Sequence, residues 1–135
     1  MTGTAAAARG ALQGLRILVV EDEYLIAQEI AEVLADAGAE TLGPVPSVGE
    51  ALRMVEAEER IDCALLDVNV GSEPVWPAVD VLLARGVPVV LATGYDARAV
   101  PRAYAHLPRC GKPASGQDLT RALAQALASR APVEG

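Results

Sequence analysis

The stretch Asp62-Cys63-Ala64-Leu65-Leu66-Asp67-Val68-Asn69 decides the fold. Its apolar run shows no polar alternation, which suits a strand covered on both faces rather than one with a solvated side. It ends abruptly in a carboxylate, Asp67. Working outward in both directions, short apolar runs of this kind alternate with helical patterns. Upstream, Ser47 and Glu50 form a capping box that opens a helix through about Glu58. A short strand near Glu40–Leu42 precedes it and is expected to end at the Gly43-Pro44 pair. Before that, Ile26, Ile30, Val33, Leu34 and Ala37 recur on one face of a helix from about Glu23 to Ala37, closed by Gly38. Arg16–Val20 is the first strand.

Downstream, a helix from about Pro77 to Ala84 is stopped by Gly86, and Pro88–Ala92 is the fourth strand. A short or ragged helix is expected between Asp96 and Ala105, interrupted by Pro101. Arg109–Gly111 is a brief fifth strand. Ser115 caps a last helix with Leu119, Leu123, Ala126 and Leu127 on one face. Five strands, each followed by a helix, imply an α/β fold: a doubly wound five-stranded parallel sheet with helices on both faces. Residues 1–14 and 131–135 read as flexible tails around a single domain over 15–130.

Composition narrows the function. The 135 residues suit one domain. With no Phe, one Trp and three Tyr, the core must be aliphatic. Eighteen acidic against eleven basic side chains give a net charge of −7, which repels phosphate backbones, so nucleic acid is not an expected partner. No apolar run approaches the roughly 20 residues of a membrane span, and a cytoplasmic location is expected. Cys63 and Cys110 fall in two different strands and read as small core residues; one histidine, His106, is too little for a soft-metal site.

In open parallel sheets, ligands sit beyond the carboxyl ends of the strands. Those ends carry Glu21-Asp22-Glu23, Asp67-Val68-Asn69, Thr93-Gly94 and Lys112-Pro113. Carboxylates held together repel one another unless a cation shares the site. Magnesium answers that need, since it takes oxygen ligands and keeps several waters. Asp22 and Asp67 are the expected side-chain ligands, with Glu21 behind them directly or through water and the Asn69 main-chain carbonyl as a further oxygen. A carboxylate beside a metal can also act as a nucleophile and form an acyl phosphate. The transferring group spreads charge over three outer oxygens. Lys112 offers a mobile positive charge for one of them, and Thr93 a hydroxyl donor for another.

These motifs, in this order and each at a strand end, resemble the bacterial response-regulator receiver domain over roughly residues 15–129. The resemblance implies the flavodoxin-like strand order 2-1-3-4-5 and phosphoacceptor Asp67. It implies metal residues Glu21, Asp22, Asp67 and Asn69, and phosphate partners Thr93 and Lys112. It also implies a cis bond before Pro113, and as partners a histidine kinase or a histidine phosphotransfer protein. The run Pro88-Val89-Val90-Leu91-Ala92-Thr93-Gly94-Tyr95 is similar to the single-domain receivers nicknamed FATGUY, with Leu91 in place of the usual Phe. Those typically serve as phosphate shuttles or sinks. Phosphoryl acceptance with slow self-dephosphorylation, rather than enzyme turnover, is the expected activity.

The pattern is also departed from. Receivers usually carry an aromatic switch residue three places before the lysine; here that place is Arg109, so Tyr95 or Tyr104 is expected to stand in. Only residues 94–108 join strand four to Arg109, a short connection that implies a mobile fourth helix and weakens the case for a dimer surface there; a monomer is favoured. His106 reads as a surface histidine and Trp76 as packing in the loop before helix three. Glu56, Glu58, Glu59 and Arg60 read as a solvated helix end. Three other functions fit these residues less well. A phosphorylation-independent interaction module would be expected to lose some of the acid, Thr and Lys set. A flavodoxin-like electron carrier needs an anion cradle where Glu21-Asp22-Glu23 stands, and a haloacid-dehalogenase-like phosphatase needs an acid where Asn69 stands.

Overall fold

In the computed structural model, which describes residues 10–94, 100–112 and 114–129, the apolar runs form one parallel sheet. Its strands are β1 (Arg16–Val20), β2 (Glu40–Val45), β3 (Cys63–Asp67), β6 (Val89–Thr93) and β7 (Arg109–Gly111), in the order β2-β1-β3-β6-β7. A separate antiparallel ribbon pairs β4 (Asn69–Val70) with β5 (Glu73–Pro74). Among the described residues lie the helices α1 (Tyr24–Asp36), α2 (Val48–Ala57), α3 (Trp76–Ala84) and α4 (Gly116–Ser129) and a 3-10 turn at Arg102–Tyr104. The strand order is the flavodoxin-like one.

The unbroken apolar strands are explained by the two cores. Alternate residues of each strand face opposite ways. Leu18, Val20, Ala64, Leu66, Val89 and Leu91 join Val55 of α2 and Leu82 of α3 in one core. Ile17, Val19, Cys63, Leu65, Val90 and Ala92 join Leu34 of α1 and Leu123 of α4 in the other. Because both faces are covered, both parities must be apolar.

Helix ends follow the sequence signals. The Ser47 hydroxyl accepts from the Glu50 amide, as an N-cap does, and donates to the Glu50 carboxylate, both at 3.1 Å. Ser115 Oγ likewise accepts from the Asp118 amide at 3.0 Å. After α1, Gly38 takes φ +90°, its amide bonds the Ala35 carbonyl, and the Ala39 amide reaches the Leu34 carbonyl. Only a residue without Cβ accepts that left-handed geometry cheaply.

Several expectations change. β2 does not stop at Gly43-Pro44 but runs to Val45, with an irregular register against β1. A Cβ at Gly43 would lie 2.7 Å from the Val45 amide nitrogen, so glycine is what lets the strand bend there and rejoin β1, where the Glu21 amide donates to the Val45 carbonyl. Leu12, read as part of a tail, is fully buried in the second core, and its amide bonds the Ala37 carbonyl. The charged end of α2 is tied down rather than simply solvated: Glu58 pairs with Arg16 at 2.7 Å, and Arg60 donates to Asp62 and to the Gly14 carbonyl. Arg85 at the end of α3 donates to the carbonyls of Val55, Glu58 and Glu59. Trp76 is the first residue of α3 and not part of a loop. Of the ragged helix expected over 96–105, the described part is the 3-10 turn immediately after Pro101. Tyr95 and the bond before Pro113 lie outside the described residues; a cis peptide does occur at Gly43–Pro44.

Candidate phosphoacceptor site

The carboxyl ends of β1, β3, β6 and β7 bring the expected residues together. β3 pairs with both β1 and β6, so Val20 lies beside Leu66 and Asp67 beside Ala92, while Thr93 stands next to Gly111 on β7. One residue further along each chain come Glu21 and Lys112. Parallel register therefore fixes these side chains around one point.

Lys112 is the hub. Its ammonium donates to Asp67 Oδ2 at 2.7 Å and to Glu21 Oε2 at 3.3 Å, and Glu23 is at 4.0 Å. The Lys112 and Asp67 side chains are each 13% exposed and that of Glu21 only 1%. Burial alone would push the lysine pKa down, yet the hydrogen bonds to Asp67 and Glu21 outweigh it, so the net shift is upward. Glu21 moves upward too, driven first by burial and opposed by the Glu23 amide, which donates to its Oε2 at 3.0 Å. Asp22 is exposed, and its Oδ2 accepts from the Gly71 amide at 2.9 Å, at the tip of the β4–β5 ribbon. Thr93 is 9% exposed at the end of β6, and Asn69 is exposed at the start of β4.

The donor set fits a hard divalent cation. One carboxylate oxygen from each of Glu21, Asp22 and Asp67 lies within 4.8 Å of the others. Three negative charges meet one ammonium, which leaves an excess of two. Glu21 Oε1 is buried and accepts no hydrogen bond, although the ammonium lies 3.1 Å away as an ion pair. A buried carboxylate oxygen without a donor is costly, and a cation would satisfy it.

The sequence did not point to the ribbon. Gly71 and Ser72 take φ of +58° and +73°, the pattern of a type I′ hairpin turn. A Gly-Ser pair between Val70 and Glu73 carries that signal, but two-residue strands are too short to show periodicity. It matters here because the turn supplies the amide that holds Asp22.

No family model matches the chain. The solution structure of SdrG from Sphingomonas melonis Fr1 is similar, at 38% identity and a TM-score of 0.75 over 87% of this chain and 98% of that one. A response regulator receiver protein from Sinorhizobium medicae WSM419 also has a TM-score of 0.75, at 25% identity, over 89% of this chain and 99% of that one. Among curated proteins, the transcriptional regulatory protein PdtaR of Mycobacterium tuberculosis is 30% identical over 84 residues, 62% of this chain. The chain spans only about 40% of that relative's length. Fold, strand-end residues and relatives together place the chain among the response-regulator receiver domains, which are signalling domains of two-component systems.

Proposed function

We propose that this chain accepts a phosphoryl group on Asp67 from a histidine kinase or a histidine phosphotransfer protein, in a magnesium-dependent reaction. The observation that carries the reading is the cluster of the Glu21, Asp22 and Asp67 carboxylates with a lysine ammonium 2.7 Å from Asp67 Oδ2. Glu21, Asp22, Asp67 and the Asn69 carbonyl would hold the ion. When bound, magnesium supplies positive charge that relieves the carboxylates and meets one phosphoryl oxygen.

The protein's own groups do the rest. Lys112 engages Asp67 Oδ2 and leaves Oδ1 as the nucleophile. That oxygen attacks phosphorus as the bond from phosphorus to the donor's imidazole nitrogen breaks, and the nitrogen leaves with the electron pair. The product is an acyl phosphate on Asp67. Lys112 and the Thr93 hydroxyl then face the phosphoryl oxygens. Water attack on the acyl phosphate ends the signal slowly.

The Pro88–Tyr95 stretch supports a stand-alone receiver of the FATGUY type, acting as a shuttle or sink or by changing shape. Among the described residues no helix is long and apolar enough to cross a membrane. The test is intact mass after incubation with acetyl phosphate, with and without magnesium. One phosphoryl adduct that requires both magnesium and Asp67 supports the proposal. No adduct refutes it in favour of a phosphorylation-independent interaction module, and an adduct that survives Asp67→Ala refutes Asp67 as the acceptor.

A further inference from the structure

Arg109, at the place where receivers usually carry an aromatic residue, is exposed and donates weakly to the Ala105 carbonyl at 3.4 Å. It cannot turn into an apolar slot. Elsewhere on the same side of the sheet, two aromatic rings are joined. Trp76 and Tyr104 stack with centroids 4.3 Å apart and planes inclined by only 9°. The Tyr104 hydroxyl donates to Asp80 Oδ1 at 2.7 Å, one turn along α3. Both rings are half-buried against the first core, and the Tyr104 carbonyl accepts from the amide of buried Leu107. The clasp therefore ties α3 to the segment that leads into β7.

Its other end leads to the phosphoacceptor. Trp76 follows Val75, whose amide bonds the carbonyl of Val68, the residue after Asp67. Between Val68 and Val75 lies the β4–β5 ribbon, whose tip is held by the Asp22 carboxylate. A cation that engages Asp22 shares the carboxylate that holds the Gly71 amide and draws negative charge away from that hydrogen bond. The ribbon whose tip this bond holds carries Trp76 at its base.

We propose that the ribbon over residues 69–74 and the Trp76–Tyr104–Asp80 clasp form the switch by which occupancy of the Asp67 site is transmitted to residues 100–108. The clasp is closed in the unloaded protein and opens on loading. This rests on the phosphoacceptor reading above, and the experiment separates the two.

Magnesium with beryllofluoride, a stable mimic of the acyl phosphate, is titrated into the full chain and followed by calorimetry. Fluorescence of Trp76, the chain's one tryptophan, is recorded in parallel. Wild type should bind with a change in Trp76 emission, and Asp67→Ala should abolish both. Coupling is reciprocal, so a variant with no clasp to open should bind the mimic more tightly, by about fivefold or more. Tyr104→Ala should show that gain, with no further response of Trp76. Tyr104→Phe, which keeps the stack and loses only the hydrogen bond to Asp80, should show a smaller gain in the same direction and covers the case in which Tyr104→Ala fails to fold. A purely structural stack would lower thermal stability in these variants but leave the affinity for the mimic unchanged. Binding by wild type with an unresponsive Trp76, or equal affinity in wild type and Tyr104→Phe, overturns the switch alone. No binding by wild type overturns the phosphoacceptor reading and the switch with it.

Discussion

Replacing Lys112 by methionine asks most directly what holds the acidic site together. Methionine keeps much of the stem volume and removes the charge. With an effective dielectric of about 20, the Coulomb attraction is about 6 kcal/mol to Asp67 at 2.7 Å and about 5 kcal/mol to Glu21 at 3.1 Å. Most of this is offset by the cost of bringing the charges out of water, several kcal/mol per ion. Removing the cation, however, leaves the carboxylates desolvated with that cost uncompensated. Deleting one partner of a fully buried pair costs about 3–5 kcal/mol. The Lys112 and Asp67 side chains retain 13% exposure, which places this case at the low end, about 3 kcal/mol. For a domain of this size that lowers Tm by about 10 °C.

The assay is thermal and urea unfolding of Lys112→Met against wild type, in chelator and across a magnesium titration. Magnesium at a hundred times its dissociation constant returns about 2.7 kcal/mol. The variant should therefore gain more from the ion than wild type does, because no ammonium competes for the acids. A pH series adds an independent check. The lysine pKa is raised in the folded state, so its contribution is intact below the unfolded value of about 10.4 and is lost as pH climbs through the folded one. The two proteins should differ at neutral pH and converge in strong alkali. A variant as stable as wild type in chelator, with an equal gain from magnesium, would refute the account of a charge-imbalanced site held by Lys112.

Three further outcomes test the fold around the site. Leu12→Ala, at a fully buried position, should cost about 2–5 kcal/mol by urea unfolding, whereas a tail residue would cost nothing measurable. Ser47→Ala removes the hydroxyl that accepts from the Glu50 amide and should cost about 1 kcal/mol, with Ser47→Asp close to neutral. Burial pushes the Cys110 thiol up to about 11, so at neutral pH its thiolate is roughly one part in ten thousand. Iodoacetamide followed by mass mapping should leave Cys110 and the buried Cys63 unlabelled in the native protein and label both in urea.

Much of this molecule was legible because parallel α/β architecture writes itself locally. A strand covered on both faces must be apolar at every position, and Cys63–Leu66 shows it without ambiguity. Ser47 with Glu50, Gly38 and Gly86 are helix-end signals read within four or five residues. The site was legible for the same reason: each strand places its last or next residue at one edge, so Glu21, Asp67, Thr93 and Lys112 needed only the strands to be located. What escaped depends on contacts distant in sequence. Gly43 looked like a strand terminator because the chain alone does not show that β1 waits on its far side at Val45. Leu12 lies in an Ala- and Gly-rich stretch with no periodicity, and its burial comes from Ala37 and α1. The Trp76–Tyr104 stack joins residues 28 positions apart, a spacing that no local pattern encodes.

The bonds that hold the site together bear on how it would work. Three carboxylates are kept close by two donors, the Lys112 ammonium and the Gly71 amide, each bonded to a carboxylate that a cation or phosphoryl group would also engage. On the proposed reading, loading cannot be a local event. Lys112 must turn from Asp67 toward phosphoryl oxygens, and it sits directly after β7. The Asp22 carboxylate that would hold the ion also holds Gly71, the tip of the ribbon that precedes α3. Both donors thus belong to elements that meet again at Tyr104, through Trp76 on one side and the chain entering β7 on the other. A receiver with Arg109 in the aromatic position can therefore still convert charge at Asp67 into movement on that face, provided the path runs through the ribbon and not along β7 alone.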